Sequence, residues 1–157
     1  MPSELLFDIS GIDMSGVAAS REEVGRILLQ TGDMRHLDFV VWQDATLACG
    51  LGVKDVRADE FWVKGHIPGR PLLPGVLMIE AGAQLCSFLQ QQKSVFDGFL
   101  AFTRCDDCVF RGQVVPGDRL VLLAKEVEAG RRRFVSRTQG LVDGKLVFEA
   151  TITGMRI

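Results

Sequence analysis

From Gly75 to Leu89 every position is apolar or neutral except Glu80. A segment that is apolar nearly all round predicts a buried helix. Pro74 suits a first helical turn, so the helix is expected over 74–92. Upstream, Ser20-Arg21-Glu22-Glu23 has the S-x-x-E form of a capping box. Val24, Ile27 and Leu28 follow at helical spacing and Gly32 is a plausible stop, which predicts a short helix over 20–31. Residues 1–19 show no clear period and read as an irregular or strand-like lead-in. Residues 38–42 and 46–54 read as strands, with a further short one near 60–64.

The C-terminal half has the shorter period of a sheet. Strands are expected over 98–111, 118–128, 131–142 and 145–154, separated by Pro116-Gly117-Asp118 and by the hairpin signal Asp143-Gly144. Leu146, Phe148, Ala150 and Ile152 alternate with Lys145, Val147, Glu149 and Thr151, as in a strand with one face buried. Hairpin-linked strands make an antiparallel sheet. One long buried helix beside such a sheet predicts an α+β fold, a single domain over 1–157 in which the sheet wraps the helix. The small residues Ala81, Gly82 and Ala83 would let that helix pack tightly.

Composition narrows the field. The chain has 157 residues, 47% of them hydrophobic, enough for a real core and too apolar for disorder. A net charge of −2 gives no global field for nucleic acid or an anionic membrane. No apolar run reaches the roughly 20 residues of a membrane span. The start MPSELLFDIS lacks the basic, then apolar, pattern of a signal peptide, so a cytoplasmic location is expected. The four cysteines then read as reduced thiols. Cys105 and Cys108 have CxxC form, but on a regular strand an odd separation puts them on opposite faces. No metal-ligand spacing accompanies them, so no metal or redox cofactor is expected.

The candidate chemistry lies in residues 65–80, GHIPGRPLLPGVLMIE. Glu80 has Val76, Leu77, Ala83 and Gln84 one helical turn away, none charged. A carboxyl in such surroundings has a raised pKa and suits general-acid work. Gln84, at i+4, is placed to hydrogen-bond and orient it. His66 sits in a loop stiffened by Pro68, Pro71 and Pro74, and histidine is the side chain best matched to proton abstraction near neutrality. Gly75 opens the helix, where free N–H groups can stabilise an oxyanion. His36 lacks such a context and reads as surface or loop.

These residues meet a family. His66-Ile67-Pro68-Gly69-Arg70-Pro71-Leu72-Leu73-Pro74-Gly75-Val76-Leu77, with Glu80, Ala81 and Gln84, resembles the signature of the 3-hydroxyacyl-acyl-carrier-protein dehydratases of type II fatty-acid synthesis. Phe110-Arg111, 114–120 and 142–150 resemble its C-terminal strands. The resemblance implies a hotdog fold and a homodimer, commonly built into a trimer of dimers. Each site would take His66 from one subunit and Glu80 from the other. His66 would remove the α-proton of a thioester carried by acyl carrier protein, the Gly75 N–H would hold the thioester oxygen, and Glu80 would protonate the departing hydroxyl. Ile67, Pro74, Val76, Gln84 and Ala101 would face the substrate. No cofactor is implied. Departures are local: Ile67 stands where the family has phenylalanine, Ala101 where a gating tyrosine is usual, and 31–42 keeps only traces of the family pattern. Arg131, Arg132 and Arg133, at an expected hairpin tip, are candidates for docking the acidic carrier, with Arg104, Arg111 and Arg119 behind them. The alternatives are another hotdog thioester activity (an acyl-CoA hydratase or thioesterase) and a non-catalytic acyl-binding module.

Overall fold

The computed structural model describes residues 4–93 and 98–157. In chain order the elements are α1 (Arg21–Ile27), a 3₁₀ turn (Gly32–Met34), β1 (Phe39–Gln43), β2 (Cys49–Asp55), α2 (Gly75–Lys93), β3 (Leu100–Phe110), β4 (Arg119–Ala129), β5 (Arg133–Val142) and β6 (Lys145–Arg156). The strands form one sheet in the order β1-β2-β4-β5-β6-β3, and every neighbouring pair is antiparallel. The sheet curves around α2, which packs against β2, β4, β5 and β6. This is the α+β arrangement expected from the sequence.

The main core lies between α2 and the inner face of the sheet. Leu85, Cys86, Phe88 and Leu89 meet Leu120, Leu122, Phe148 and Ile152 there. The small residue Gly82 lets the helix lie close. A Cβ at Gly82 would come within 2.6 Å of the Thr138 hydroxyl on β5. Burial this complete lifts the Cys86 thiol to a pKa of about 12, so it behaves as a small core residue.

A second cluster covers part of the outer face. Leu6 of the lead-in packs with Val41, Leu51, Val53, Leu123 and Leu141. The buried Gln139 holds it: its Oε1 accepts from Leu6 N and its Nε2 donates to the Glu4 carbonyl, both at 2.9 Å. Strand alternation explains both clusters, since neighbouring residues face opposite sides.

Several boundaries differ from the sequence reading. The capping box forms, with Ser20 Oγ accepting from Glu23 N, but α1 ends early because Leu28 is extended. Gly32 starts the 3₁₀ turn and does not end the helix. The expected strand near 60–64 is a run of turns in which Val63 N donates to Glu60 O and His66 N to Trp62 O. In β6 the alternation holds from Phe148 to Ile152. The pairing slips between Gly140 and Leu141, so Leu146 joins the outer cluster while Val147 packs inward. A second slip, between Asp106 and Val109, overturns the expectation for the CxxC pair. Asp107 takes a φ of 48°, and the extra residue brings the Cys105 thiol into hydrogen-bonding contact with Cys108. All four cysteines are free thiols.

Candidate active site

The turn carrying His66 is anchored from below. Lys54 of β2, only 2% exposed, donates to Glu60 Oε2 at 2.9 Å. Trp62 Nε1 donates to the same oxygen at 2.9 Å, and Arg57 N donates to Oε1 at 2.9 Å. Burial alone would raise the Glu60 pKa, but these three donors and the Lys54 charge outweigh it and hold the carboxyl below its usual range. A buried pair with its hydrogen bonds completed fixes geometry, because losing either partner strands a charge. From the Trp62 carbonyl the chain reaches His66 N at 2.7 Å.

The imidazole is then held by its own loop. His66 Nδ1 lies 2.7 Å from the Leu72 carbonyl oxygen. A carbonyl only accepts, so Nδ1 carries the hydrogen and Nε2 presents its lone pair. Ile67 holds φ at 57°, a strained setting for a β-branched residue, and its carbonyl closes a turn with Arg70 N. Leu73 N donates to the Val114 carbonyl at 2.8 Å and so fastens the loop to the sheet. The loop delivers the chain to Gly75, the first residue of α2. A Cβ there would sit 2.7 Å from the Phe110 ring, so a larger residue would have to displace that ring. Leu77 and Met78 make the first helix-closing bonds, onto the Pro74 carbonyl. The Gly75 and Val76 N–H groups precede any intrahelical acceptor, at the positive end of the dipole.

Glu80 belongs to a different cavity. It shares that cavity with Ala83, Gln84 and Ser87 of α2 and with Ala101 and Phe102 of β3. Its carboxyl is half-buried, and burial raises its pKa, opposed only by a hydrogen bond from Gln84. That side chain is 1% exposed and fully engaged. Gln84 Nε2 donates to Glu80 Oε1 at 2.8 Å and to the Met34 carbonyl at 2.7 Å. Its Oε1 accepts from His36 N at 2.8 Å and Leu37 N at 3.0 Å.

The structure thus divides the sequence-derived residues into two groups. Glu80, Gln84 and Ala101 line one cavity. His66, Ile67, Pro74, Gly75 and Val76 do not line it; they lie along the loop and helix entrance, where Ile67 and Val76 are exposed. Arg131 and Arg132 form the exposed β4–β5 turn; Arg133 begins β5 and pairs with Glu128 at 3.3 Å. Arg133 is followed by Phe134, which lines the Glu80 cavity. Arg104, Arg111 and Arg119 pair with Asp106, Glu149 and Asp55.

His36 corrects the sequence reading. It lies in a loop but is 1% exposed, with its ring tilted against Phe61. Burial chiefly, and the Lys54 charge, lower its pKa to about 4, so it is neutral at physiological pH. The Lys54–Glu60–Trp62 cluster was also missed. A lysine inside the apolar run of β2 was the available signal, since a buried cation requires a carboxylate nearby. Among the described residues no group of three or more His, Cys, Asp or Glu side chains is placed to hold a metal ion. No described helix is long and apolar enough to cross a membrane.

Comparisons with known proteins bear on the family and the fold. Residues 29–151 match the model of the FabA-like domain. The 3-hydroxyacyl-[acyl-carrier-protein] dehydratase FabZ of Alkaliphilus metalliredigens is 41% identical, over 66% of this chain and 71% of that protein. The FabZ of Streptococcus mutans is 39% identical, over 66% and 74%. Among solved structures, the dehydratase heterocomplex ApeI:P from Xenorhabdus doucetiae superposes with a TM-score of 0.73 at 14% identity, covering 85% of this chain and 90% of that one. A putative thioesterase from Ralstonia eutropha gives 0.61 at 16% identity, covering 74% and 82%. At such identities the structures speak for the shared hotdog fold alone. With the domain match spanning most of the chain and the histidine–glutamate motif inside it, the chain belongs to the FabA-like family, alongside the 3-hydroxyacyl-acyl-carrier-protein dehydratases.

Proposed function

We propose that this protein dehydrates 3-hydroxyacyl thioesters carried by acyl carrier protein to trans-2-enoyl thioesters, at sites completed between two copies of the chain. The observation that carries this reading is the division of proton roles. His66 presents a bare Nε2, fixed by the Leu72 carbonyl, while burial holds Glu80 toward its neutral, proton-donating form. A base and an acid so tuned suit a reaction that removes one proton and delivers another.

The reaction balances on these groups. His66 Nε2 takes the α-proton, and the C–H electrons pass toward the thioester carbonyl. The Gly75 N–H at the start of α2 stabilises the oxygen as it gains charge. The electrons then return to form the Cα–Cβ double bond, the Cβ–O bond breaks, and Glu80 gives its proton to the leaving hydroxyl, which departs as water. His66 ends protonated and Glu80 ionised, and one proton passed back from imidazolium to carboxylate resets the site.

His66 is not among the described residues that line the Glu80 cavity. That arrangement supports a homodimer in which one copy's His66 loop meets the other's Glu80 cavity. Arg131, Arg132 and Arg133, beside the cavity wall at Phe134, are the proposed contact for the acidic carrier.

The test is mass spectrometry of a 3-hydroxyacyl-acyl carrier protein incubated with the enzyme. Loss of one water with the thioester intact supports the reading. A free acid would mean hydrolysis, and an unchanged thioester across several chain lengths, with folded protein, would reject the dehydratase reading.

A further inference from the structure

We propose that Cys105 and Cys108 are a thiol–disulfide switch: they close reversibly into an intrachain bridge across the bulge of β3, the strand that joins the two halves of the candidate site. The effect of the bridge on turnover rests on the dehydratase reading; its formation does not.

On a regular strand residues 105 and 108 would face opposite sides. Here the pairing of β3 with β6 slips between Asp106 and Val109, and Asp107 takes a φ of 48°. The extra residue turns the two thiols toward each other, and they meet in a hydrogen bond. A disulfide sets its sulfurs about 2 Å apart, so closure needs a short further approach on a strand that is already bent. Among the described residues β3 is the sheet edge and pairs with β6 alone, which leaves the bulge free to tighten on one side. Cys105 is exposed and Cys108 half-buried, within reach of a small oxidant. The other thiols do not compete: Cys49 is on β2, four strands away, and Cys86 is buried in α2. Among the described residues no group of three His, Cys, Asp or Glu side chains is placed to hold a metal ion, so the pair is not part of a metal site.

The oxidant is a low-molecular-weight disulfide. The Cys105 sulfur gives up its proton, attacks one sulfur of that molecule and expels the other as a small thiol. The Cys108 sulfur then attacks the Cys105 sulfur of the mixed disulfide and expels the second small thiol. Two electrons and two protons pass from the protein to the oxidant, which leaves as two thiols. Burial chiefly raises the pKa of both cysteines, so exchange is slow near neutrality and quickens in mild alkali. For the same reason neither sulfur is a good leaving group, and the closed bridge persists until a reductant meets it.

Its position gives the bridge a consequence. At one end of β3, Leu100, Ala101 and Phe102 line the Glu80 cavity. Toward the other end the Phe110 ring lies against Gly75, where α2 begins. The bulge stands between them. Tightening it draws one end of the strand toward the other, so the cavity wall and the ring at the helix entrance cannot both keep their places. The reduced form is therefore the more active one.

The test incubates reduced protein with glutathione disulfide at about pH 8, then maps its cysteines by mass spectrometry after alkylation. The expected result is loss of two hydrogens per chain and a peptide linked from Cys105 to Cys108. Cys105→Ser and Cys108→Ser, both at accessible positions, should each lose that link. Hydrogen exchange should slow over 100–110 and change at 74–80 on oxidation, and return with dithiothreitol. In turnover, oxidation should lower kcat by about threefold or more, reversibly, and should leave both serine variants unaffected. Mixed glutathione adducts alone, bridges between chains, unchanged exchange, or an unchanged kcat in an active enzyme would each overturn the proposal. An inactive wild type that still forms the bridge and shows the exchange change would remove the reaction and keep the switch.

Discussion

The two halves of the candidate site are made rigid by different means. The His66 half is a loop, held by a buried ion pair below, prolines within and a backbone carbonyl on the imidazole. The Glu80 half lies on a regular helix, and its carboxyl is held by one saturated amide. A base on a loop needs many restraints, because an exposed loop has little burial to order it. An acid on a buried helix needs few, since the helix is already fixed, and the same burial supplies its altered acidity.

Breaking each half at its reacting group should give the largest effects. His66→Ala should lower kcat by about 10²–10⁴-fold with the fold intact, read by circular dichroism and turnover. Glu80→Gln should lose activity on a similar scale, yet the protein should be no less stable near neutrality, because a raised folded pKa means the ionised form is disfavoured in the fold. Near-wild-type turnover in either would remove that residue from the chemistry.

Breaking the support separates the halves further. Glu60→Ala leaves Lys54 buried without its partner and should cost about 3–5 kcal/mol by denaturant unfolding. Its activity loss should track disorder of the His66 loop, with the Glu80 titration unchanged. Gly75→Ala drives a methyl into the Phe110 ring at the helix entrance. A tenfold or larger fall in kcat is expected, on the order of losing one oxyanion donor's alignment. An unchanged kcat would free the Gly75 N–H from any role.

The smallest effect concerns acid. His36 has a folded pKa of about 4, below the unfolded value near 6.5. As pH falls, the unfolded chain takes the proton first, so this contribution is complete above about pH 6.5 and is lost progressively toward pH 4. Of order 3 kcal/mol is involved. His36→Leu should flatten that part of the stability–pH curve, measured by urea unfolding at successive pH values.

What the sequence made legible, and what it hid, follows the same division. The Glu80 half was readable because one charge interrupts an otherwise neutral helix, and periodicity reports helices well. The hairpin at Asp143-Gly144 and the capping box at Ser20 were readable from local turn chemistry. The support of the His66 half was not. Glu60, Trp62 and Lys54 meet through folding, and their alternation with apolar neighbours imitates a strand. The burial of His36 depends on what covers it, which is equally non-local. Likewise, a single slipped residue at Asp107 reversed the expected facing of Cys105 and Cys108. Strand periodicity gives faces only while the register holds.

The central claim, that each site joins the His66 loop of one copy to the Glu80 cavity of another, has a direct test in mixed subunits. His66→Ala and Glu80→Gln proteins, each inactive alone, are unfolded together, refolded at equal ratio and assayed for water loss from a 3-hydroxyacyl-acyl carrier protein. Half of the resulting dimers are mixed and carry one intact site of two, so the mixture should recover about a quarter of wild-type activity. An active wild type whose mutant mixture stays inactive after verified subunit exchange would contradict the account.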